Sequence, residues 1–490
     1  MNAPGRDALS RGSRIAACVA LAALVFATRA WLIRGWGSPI PFWDEWGDAE
    51  LYRAWLTDAM RWPDLWAAHN EHRIFLTRFS NLVLFAVANE WNPWSQLLLN
   101  AVLHALTAAV VVGNFWSTLD GRTRPLFFLG AGLLFTATAG WQNALWGFQS
   151  QVYFGNLLAV VAFVAFSRNA AWEGRWWFGL GALLLALFSN GGGLLAAAAA
   201  FALTWPQTRT PRAIAAWLAI AGVVACGLLL RGTNAQHAPM QAKNFTQFFA
   251  VFGRSLGWPH VESGWFWLAL QFPLVALGWQ RWRRREAWTA AERFAGALVL
   301  FAFLHAVAIA YMRGAGLPDS RPLSRYQDPL ILGAAGQLFA ALRVATLHGR
   351  SGRILTLGWA ALVAGGLLQL TTANLSLHLP FKRAEDAAAL NHIHAYLETG
   401  DASVLRPVRP FLAPHPNPEA VRRVLDDPVL RPVLPAVFRE RDTPPPRIIA
   451  LAPWLTAAAL TAFFVVLGIE VRRPPLARAN GALPSQPGSP

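Results

Sequence analysis

Charged side chains are scarce in this chain, and so is cysteine. Lysine, arginine, aspartate and glutamate make up only 14% of its 490 residues, whereas hydrophobic residues make up 55%. A soluble globular domain carries roughly 25% charged residues, so this composition excludes an ordinary soluble protein and predicts a polytopic membrane protein. The two cysteines, Cys18 and Cys226, both lie inside apolar runs. We therefore expect no disulfide bond.

Acidic residues are few even relative to basic ones, which leaves a formal net charge of +16. A nucleic-acid-binding protein would gather such an excess into a patch or a stripe. Here the arginines are scattered among short loops between apolar runs. Nucleic acid is therefore not an expected partner, and the topology of a membrane protein explains the excess more simply.

Apolar runs recur along the whole chain. A helix needs about 20 such residues to cross a bilayer, and this length predicts about twelve spans in an all-α bundle. The clearer runs cover 15–33, 95–116, 213–230, 263–279, 294–312, 354–375 and 448–469, and shorter or interrupted ones cover 125–140, 152–167, 176–189, 191–205 and 328–342.

The loop charges orient this bundle. If the N-terminus is cytoplasmic, every inside loop carries arginine, as the positive-inside rule requires. The inside loops would be 120–124, 167–175, 206–212, 280–286, 347–353 and the tail from 471.

The first run also resembles a signal peptide, with ATRA at Ala27 to Ala30 as its cleavage site. It is long for a signal peptide and carries Arg29, so a retained helix is preferred.

The remaining polar segments fall on the outer face. Within the first outer loop, the short apolar stretch from Ile74 to Ala88 contains Arg78 and is predicted to be an interfacial helix. The predicted organisation is a membrane module at 1–375 with outer loops 34–94, 231–262 and 313–327, a small outer helical segment at 376–447, a last span at 448–470 and a disordered cytoplasmic tail at 471–490.

The first outer loop holds an acidic pair beside the first span. In PFWDEW, Asp44 and Glu45 stand between Trp43 and Trp46, close to the expected membrane surface. A solvated loop anchored by the two indoles would explain the pattern without any function. A carboxylate partly desolvated by these rings would instead be more basic than one in water, as a proton acceptor requires.

The same loop continues into HNEHR, which supplies His69, Glu71, His72 and Arg73. If this stretch opens a helix, His69 and Arg73 share a face and Glu71 points elsewhere. Imidazole, carboxylate and guanidinium groups suit a proton acceptor, a metal or a phosphate, and they would bind donor or acceptor here. The alternative is a helix start whose side chains are satisfied locally.

Two later stretches carry amides or glycines at the outer face. In WQNALWGFQSQ, Gln142, Asn143, Gln149 and Gln151 have aromatic neighbours, a combination that binds sugars but also occurs in contacts between helices. In SNGGG, Asn190 precedes three glycines, which indicates either a broken helix that approaches a ligand or a plain tight turn. The lone His305, inside a span, is interpreted as a hydrogen-bonding partner.

Three arginines occur in RGAGLPDSRPLSRYQDP, a predicted outer loop that follows a span. Arg313, Arg321 and Arg325, with Tyr326, would suit a lipid phosphate, because the guanidinium fork makes bidentate contacts with phosphate oxygens. Anchoring to lipid headgroups is the alternative, and it explains one arginine more readily than three.

Taken in order, FWDEW, HNEHR, WQNALWGFQ, SNGGG and SRYQDP resemble the recurring blocks of a bacterial branch of the GT-C membrane glycosyltransferases. The resemblance implies inverting transfer of a sugar from a polyprenyl-phosphate donor to a glycan, lipid or protein of the cell envelope, outside the bacterial inner membrane. By position, Asp44 would be the general base or a metal ligand, with Glu45 beside it. Metal dependence stays open, and the residues that would bind a Mg²⁺ or Mn²⁺ ion are Asp44, Glu45 and His69.

Two other classes of function stay open. A transporter or flippase would carry its ionisable groups near the middle of the bilayer and often has repeated halves, whereas here they cluster at one face. A polymerase or ligase of surface polysaccharide commonly has its large outer loop late in the chain, whereas here the richest loop comes first.

Overall fold

The computed structural model describes residues 4–204, 210–232, 234–406, 413–440 and 443–473. The prediction of an all-α bundle is confirmed for these residues. Eight helices are long and apolar enough to cross a membrane: Arg11–Trp36, Pro93–Trp116, Gly147–Arg168, Pro211–Leu229, Ala290–Arg313, Asp328–Leu347, Gly349–Thr399 and Ala452–Arg472.

Among the described residues, helix length and hydropathy identify eight of the twelve predicted spans. Three further predicted spans form helices α6 (Thr123–Thr136), α9 (Gly174–Ala186) and α10 (Gly192–Thr204), which have 13 or 14 residues each. A fourth, α13 (Trp267–Arg284), contains Pro273 and three arginines in its last turn. The twelve-span topology therefore stays a prediction.

The long helices of the bundle, in chain order, are α1 (Pro4–Trp36), α5 (Pro93–Trp116), α8 (Ser150–Arg168), α11 (Pro211–Leu229), α14 (Ala290–Arg313), α15 (Asp328–Leu347), α16 (Gly349–Ala373) and α20 (Ala452–Arg472). Their boundaries follow local chemistry. Asn92 caps α5 by accepting the Ser95 N–H, with Pro93 in the first turn. Thr289 and Glu292 form a reciprocal capping box at the start of α14.

Shorter elements fill the loops: α2 (Asp48–Leu56), α3 (Trp62–Trp66), β1 (Ala68–His69), β2 (His72–Arg73), α4 (Phe75–Ala88), α7 (Trp141–Ala144), α12 (Phe245–Leu256), α17 (Leu379–Thr399), α18 (Pro418–Asp426) and α19 (Arg447–Ala450). The predicted helix at HNEHR is wrong. The stretch is a two-residue antiparallel hairpin with His69 opposite His72, and Asn70 turns the chain with a left-handed φ of 51° that a helix cannot accommodate.

Aromatic rings and small residues hold the bundle together. Phe115 on α5 stacks on Phe339 of α15 at a centroid distance of 4.3 Å, and Phe128 on α6 stacks on Phe463 of α20 at 4.2 Å. Gly132 lets that second ring approach, since a Cβ there would lie 2.7 Å from Phe463. Such close contacts between helices are typical of bundles that cannot rely on the hydrophobic effect in lipid.

A second hydrophobic core joins the first loop to the late segment at 376–447. The Trp46 ring lies parallel to the Phe438 ring at a centroid distance of 6.1 Å, and the backbone N–H of Trp91 donates to the Val433 carbonyl at 2.7 Å. Arg53 forms an ion pair with Asp427 at 2.7 Å. The late segment therefore packs on the first loop, and the boundary predicted at 375 falls inside the continuous helix Gly349–Thr399.

The arginine-rich loops lie at the opposite end of the bundle from the first loop. Arg168 donates to the Asn114 carbonyl, Arg124 to the Trp116 carbonyl at 3.1 Å, and Arg293 to the Ser167 carbonyl at 2.5 Å. These bonds satisfy the free carbonyls at helix C-termini. Most of the predicted inside loop at 206–212, and the tail from 474 to 490, lie outside the described residues.

Candidate functional site

A cavity of about 760 Å³ lies at the end of the bundle that carries the first loop. Its walls come from the turn at 43–44, the hairpin at 69–73, the start of α8, the turn before α10, the segment after α11, and the end of α14 with residues 325–329. The predicted site residues that line it are Asp44, His69, Glu71, His72, Arg73, Gln149, Asn190, Arg313, Arg325 and Tyr326.

Asp44 is the free carboxylate of this cavity. It lies in a single 3₁₀ turn at Trp43–Gly47 and is half-buried beside Trp43, whose own side chain is 40% exposed. Its carboxylate makes no hydrogen bond or ion pair with the residues that the structure describes. Asp44 can therefore accept a hydrogen bond or a proton from a molecule in the cavity.

Glu45, the other member of the predicted catalytic pair, lies outside the cavity. Its carboxylate is buried and accepts the N–H groups of Phe42 at 2.6 Å and Phe148 at 3.0 Å. Gly147 permits this contact, because a Cβ there would lie 2.6 Å from the Glu45 Oε1. Glu45 thus ties the acidic turn to the start of α8 and holds Asp44 at the edge of the cavity.

Glu45 also makes stability depend on pH. Burial raises its pKa from 4.5 to about 8, against the two N–H donors that lower it. The folded protein binds this proton more tightly than the unfolded chain does, so the stability present below pH 4.5 is lost as the pH rises through about 8. We expect the thermal denaturation midpoint in detergent to fall between pH 5 and 8, and to fall less in Glu45→Gln.

The exposed Glu50, on α2 in the same loop, provides the matched control. Glu50→Gln should keep the wild-type slope of denaturation midpoint against pH. Burial also raises the pKa of Asp48, to about 7, so the Glu45→Gln slope should be reduced but not abolished. Equal slopes in Glu45→Gln and in the wild type would contradict the assignment.

The hairpin brings two imidazoles and a carboxylate to the cavity. Burial lowers the pKa of His72 to about 4 and also lowers that of His69, so these rings are predominantly neutral at pH 7. The Glu71 carboxylate forms a hydrogen bond with the His237 Nδ1. Burial would raise the pKa of Glu71, but the hydrogen bond and charge of His237 outweigh it and hold that pKa below 4.5. The helical prediction pointed Glu71 elsewhere, whereas the hairpin turns it into the cavity.

His237 and Arg231 are cavity residues that sequence reasoning missed. Two hydrogen bonds hold their segment against the hairpin. The Gly232 N–H donates to the Glu71 carbonyl at 3.0 Å, and the Asn234 side-chain amide donates to the Asn70 Oδ1 at 2.8 Å. Neither residue belongs to a motif in the sequence. Their only local signal was that the loop lies on the same face as the acidic turn.

Arginines give the cavity an excess of positive charge. Arg73, Arg231, Arg313 and Arg325 line it, against the two carboxylates of Asp44 and Glu71. The Arg325 guanidinium lies over the Tyr326 ring at 5.3 Å and makes no hydrogen bond with the described residues. The cavity therefore suits an anionic group that can accept from these guanidinium groups.

Gln142 and Asn143 lie outside the cavity and hold the loop that carries Arg325. The backbone N–H of Arg325 donates to the Gln142 Oε1 at 3.1 Å. The Asn143 side-chain amide donates to the Arg325 carbonyl at 3.0 Å and to the Asp328 carboxylate at 2.7 Å. These bonds match the alternative that the sequence left open, a polar contact between helices.

Arg321 is the fourth predicted site residue outside the cavity. Its guanidinium forms an ion pair with Glu262 at 2.8 Å and lies 3.8 Å from Asp319, and its side chain is 47% exposed. Proximity in sequence to Arg325 does not bring it to the same site, because the left-handed backbone at Asp319 and Ser320 bends this loop.

The predicted metal ligands do not form a set. Within the described ranges, no three His, Cys, Asp or Glu side chains group as a site for a metal ion. Both carboxylate oxygens of Glu45 accept backbone N–H groups instead of facing Asp44 and His69. Asp44, Glu45 and His69 therefore do not fit a Mg²⁺ or Mn²⁺ ion together.

Comparisons with models of protein families, with curated proteins and with solved structures each found no match to this chain. A proposal for its function must therefore rest on the cavity and the residues that line it.

Proposed function

We propose that this protein is a membrane glycosyltransferase that transfers a sugar from a polyprenyl-phosphate donor to a hydroxyl group of a cell-envelope acceptor outside the inner membrane. One observation carries the proposal. A carboxylate that makes no hydrogen bond or ion pair with the described residues, Asp44, shares a single cavity with Arg313 and Arg325, which lie more than 260 positions later in the sequence. A base and a cationic site are the two requirements of this reaction.

Asp44 acts as the general base. A sugar or other alcohol hydroxyl is a weak nucleophile, and removing its proton as the new bond forms lowers the barrier. The oxygen attacks the anomeric carbon from the face opposite the phosphate, so the configuration at that carbon inverts. The glycosidic C–O bond breaks, its electron pair leaves with the lipid phosphate, and the acceptor proton passes to Asp44.

The arginines stabilise the departing phosphate. Negative charge grows on this group as the C–O bond breaks, and guanidinium groups already in position stabilise it without reorganising. Arg325 is the strongest candidate, because its guanidinium makes no hydrogen bond or ion pair with a described residue while Gln142 and Asn143 fix its backbone. Arg313 contributes from the end of α14, where it also contacts His237 at 3.5 Å.

A comparison of envelope glycans tests the proposal. Cells without the gene should lack one sugar on one envelope component, and a plasmid copy of the wild type should restore it, as measured by mass spectrometry. If the protein were a transporter, cells without the gene would instead accumulate the intact lipid-linked donor on the inner leaflet. If it were a polymerase or ligase, cells without the gene would have surface polysaccharide of altered chain length. Either of these two results would contradict the proposal.

Orientation provides an independent check. In a chain carrying Cys18→Ala and Cys226→Ala, Asp58→Cys reports on the first loop and Arg350→Cys on an arginine-rich loop, and both positions are exposed. A membrane-impermeant maleimide should label Asp58→Cys in intact spheroplasts and Arg350→Cys only after permeabilisation. The reverse pattern would put the cavity on the cytosolic side and remove the basis for an extracytoplasmic reaction.

A further inference from the structure

The cavity has a second, uncharged part beneath the arginines. His305 and Arg313 both line it from α14, eight residues apart, which places His305 about 12 Å deeper along the helix axis. Asn156 on α8 lies seven residues from Gln149, about 10 Å deeper in the same direction. The cavity lining from α8, and that from α14 before Arg313, includes no aspartate, glutamate, lysine or arginine.

The hydrogen bond at His305 fixes which of its ring nitrogens carries the proton. Nδ1 lies 3.0 Å from the Phe301 carbonyl oxygen, which can only accept, so Nδ1 must be protonated. In the neutral ring the other nitrogen, Nε2, is then a hydrogen-bond acceptor, and it bonds to no described residue. Gly192 keeps Nε2 accessible, because a Cβ at that position would lie 2.9 Å from it.

Three amides line the same cavity as His305. Gln149, Gln151 and Asn156 are only 4–6% exposed, yet their side chains make no hydrogen bond with the residues that the structure describes. The Gln151 Oε1 is fully buried. The side-chain nitrogen and oxygen atoms of Gln149 and Asn156 remain accessible from the cavity, so a molecule in the cavity can form hydrogen bonds with them.

The turn before α10 closes this group. The Asn190 Oδ1 accepts the Gly192 N–H at 2.8 Å, and a Cβ at Gly155 on α8 would lie 3.1 Å from the same oxygen. Glycine at 155 and at 192 therefore lets the turn lie against both α8 and His305. SNGGG forms the predicted tight turn, and it also lines the cavity.

We propose that His305, Asn156, Gln149 and Gln151 form a subsite for an uncharged sugar ring, which they bind through its hydroxyl groups. Amides both donate and accept, and the His305 Nε2 accepts, so together they match hydroxyls. An ammonium or carboxylate substituent would be buried here without a counter-charge, which is unfavourable. The inference rests on the proposed function. The phosphate lies among the arginines and the sugar reaches inward.

Short-chain donor analogues test this subsite. With the purified protein in nanodiscs, dissociation constants are measured for citronellyl phosphate and for its glucosyl, mannosyl, galactosyl, glucosaminyl and glucuronosyl esters. At least one neutral sugar should tighten binding relative to citronellyl phosphate, and the two charged sugars should not. His305→Phe and Gly192→Ala should each lose about 3- to 10-fold of this gain, the value of one hydrogen bond, and leave citronellyl phosphate binding unchanged.

Each outcome has a distinct meaning. His305→Gln keeps an acceptor and should recover part of the gain, whereas a purely structural role for His305 would weaken binding of citronellyl phosphate itself. If citronellyl phosphate binds but no neutral sugar improves on it, the subsite is overturned and the proposed function stands. If citronellyl phosphate does not bind the wild type, both proposals fail.

Discussion

Replacing Asp44 by asparagine is expected to lower the rate of sugar transfer by about a hundred- to ten-thousand-fold, the usual contribution of a general base. Asparagine keeps the size of the side chain but cannot take the acceptor proton. Because Asp44 makes no hydrogen bond or ion pair with the described residues, the substitution breaks none of these. Initial rates with the purified protein, once the glycan comparison has identified donor and acceptor, should show the loss in kcat rather than in donor binding.

Asp58 supplies a control for this variant, since it is an exposed aspartate in the same loop and lies outside the cavity. Asp58→Asn should retain the wild-type rate and denaturation midpoint. An Asp44→Asn protein with more than half of the wild-type rate would show that the base is elsewhere. The Glu71–His237 pair would then be the next candidate, because its carboxylate can orient the imidazole in the same cavity.

The identity of the working carboxylate is an example of what sequence cannot resolve. Asp44 and Glu45 are adjacent acids between tryptophans, and composition and spacing treat them alike. The difference arises from the Phe148 N–H, which lies 103 positions away and binds Glu45. Local sequence could therefore indicate the acidic turn but not which of its two side chains faces the cavity.

The helices were predictable because a bilayer imposes a length and a composition on each segment that crosses it. Positions of the long spans follow directly from this constraint. HNEHR carries no such constraint, and its charged and polar residues fit a helix start or a turn equally well. The left-handed conformation of Asn70 decides between them, and asparagine adopts it only where neighbouring contacts favour it.

Packing outside the membrane was harder to predict for a related reason. The apolar residues of 376–447 are spread over short amphipathic stretches that indicate helices but not what covers them. Their partners, such as Trp46 and Trp91, lie in the first loop, more than 280 positions earlier. The same loop presents Asp44 to the cavity, so the late segment stabilises the site through the second core without lining it.

Replacing Arg325 by alanine is expected to lower kcat by about a hundred- to a thousand-fold, the loss typical of removing one group that stabilises developing charge. The effect should exceed any change in donor affinity, because the phosphate gains charge only as the glycosidic bond breaks. Arg325→Lys should recover only part of the rate, since an ammonium group keeps the charge but lacks the planar fork that binds two phosphate oxygens. Initial rates at saturating donor measure both variants.

Arg321 is the matched control, four positions earlier in the same loop but paired with Glu262 outside the cavity. Arg321→Ala removes the same charge and should keep a rate within about twofold of the wild type, because an exposed ion pair contributes only about 0–1 kcal/mol. Equal losses in the two variants would mean that the loop acts through its overall charge at the membrane surface. A loss confined to Arg325 would tie the chemistry to a guanidinium that faces the cavity of Asp44 and makes no hydrogen bond or ion pair with the described residues.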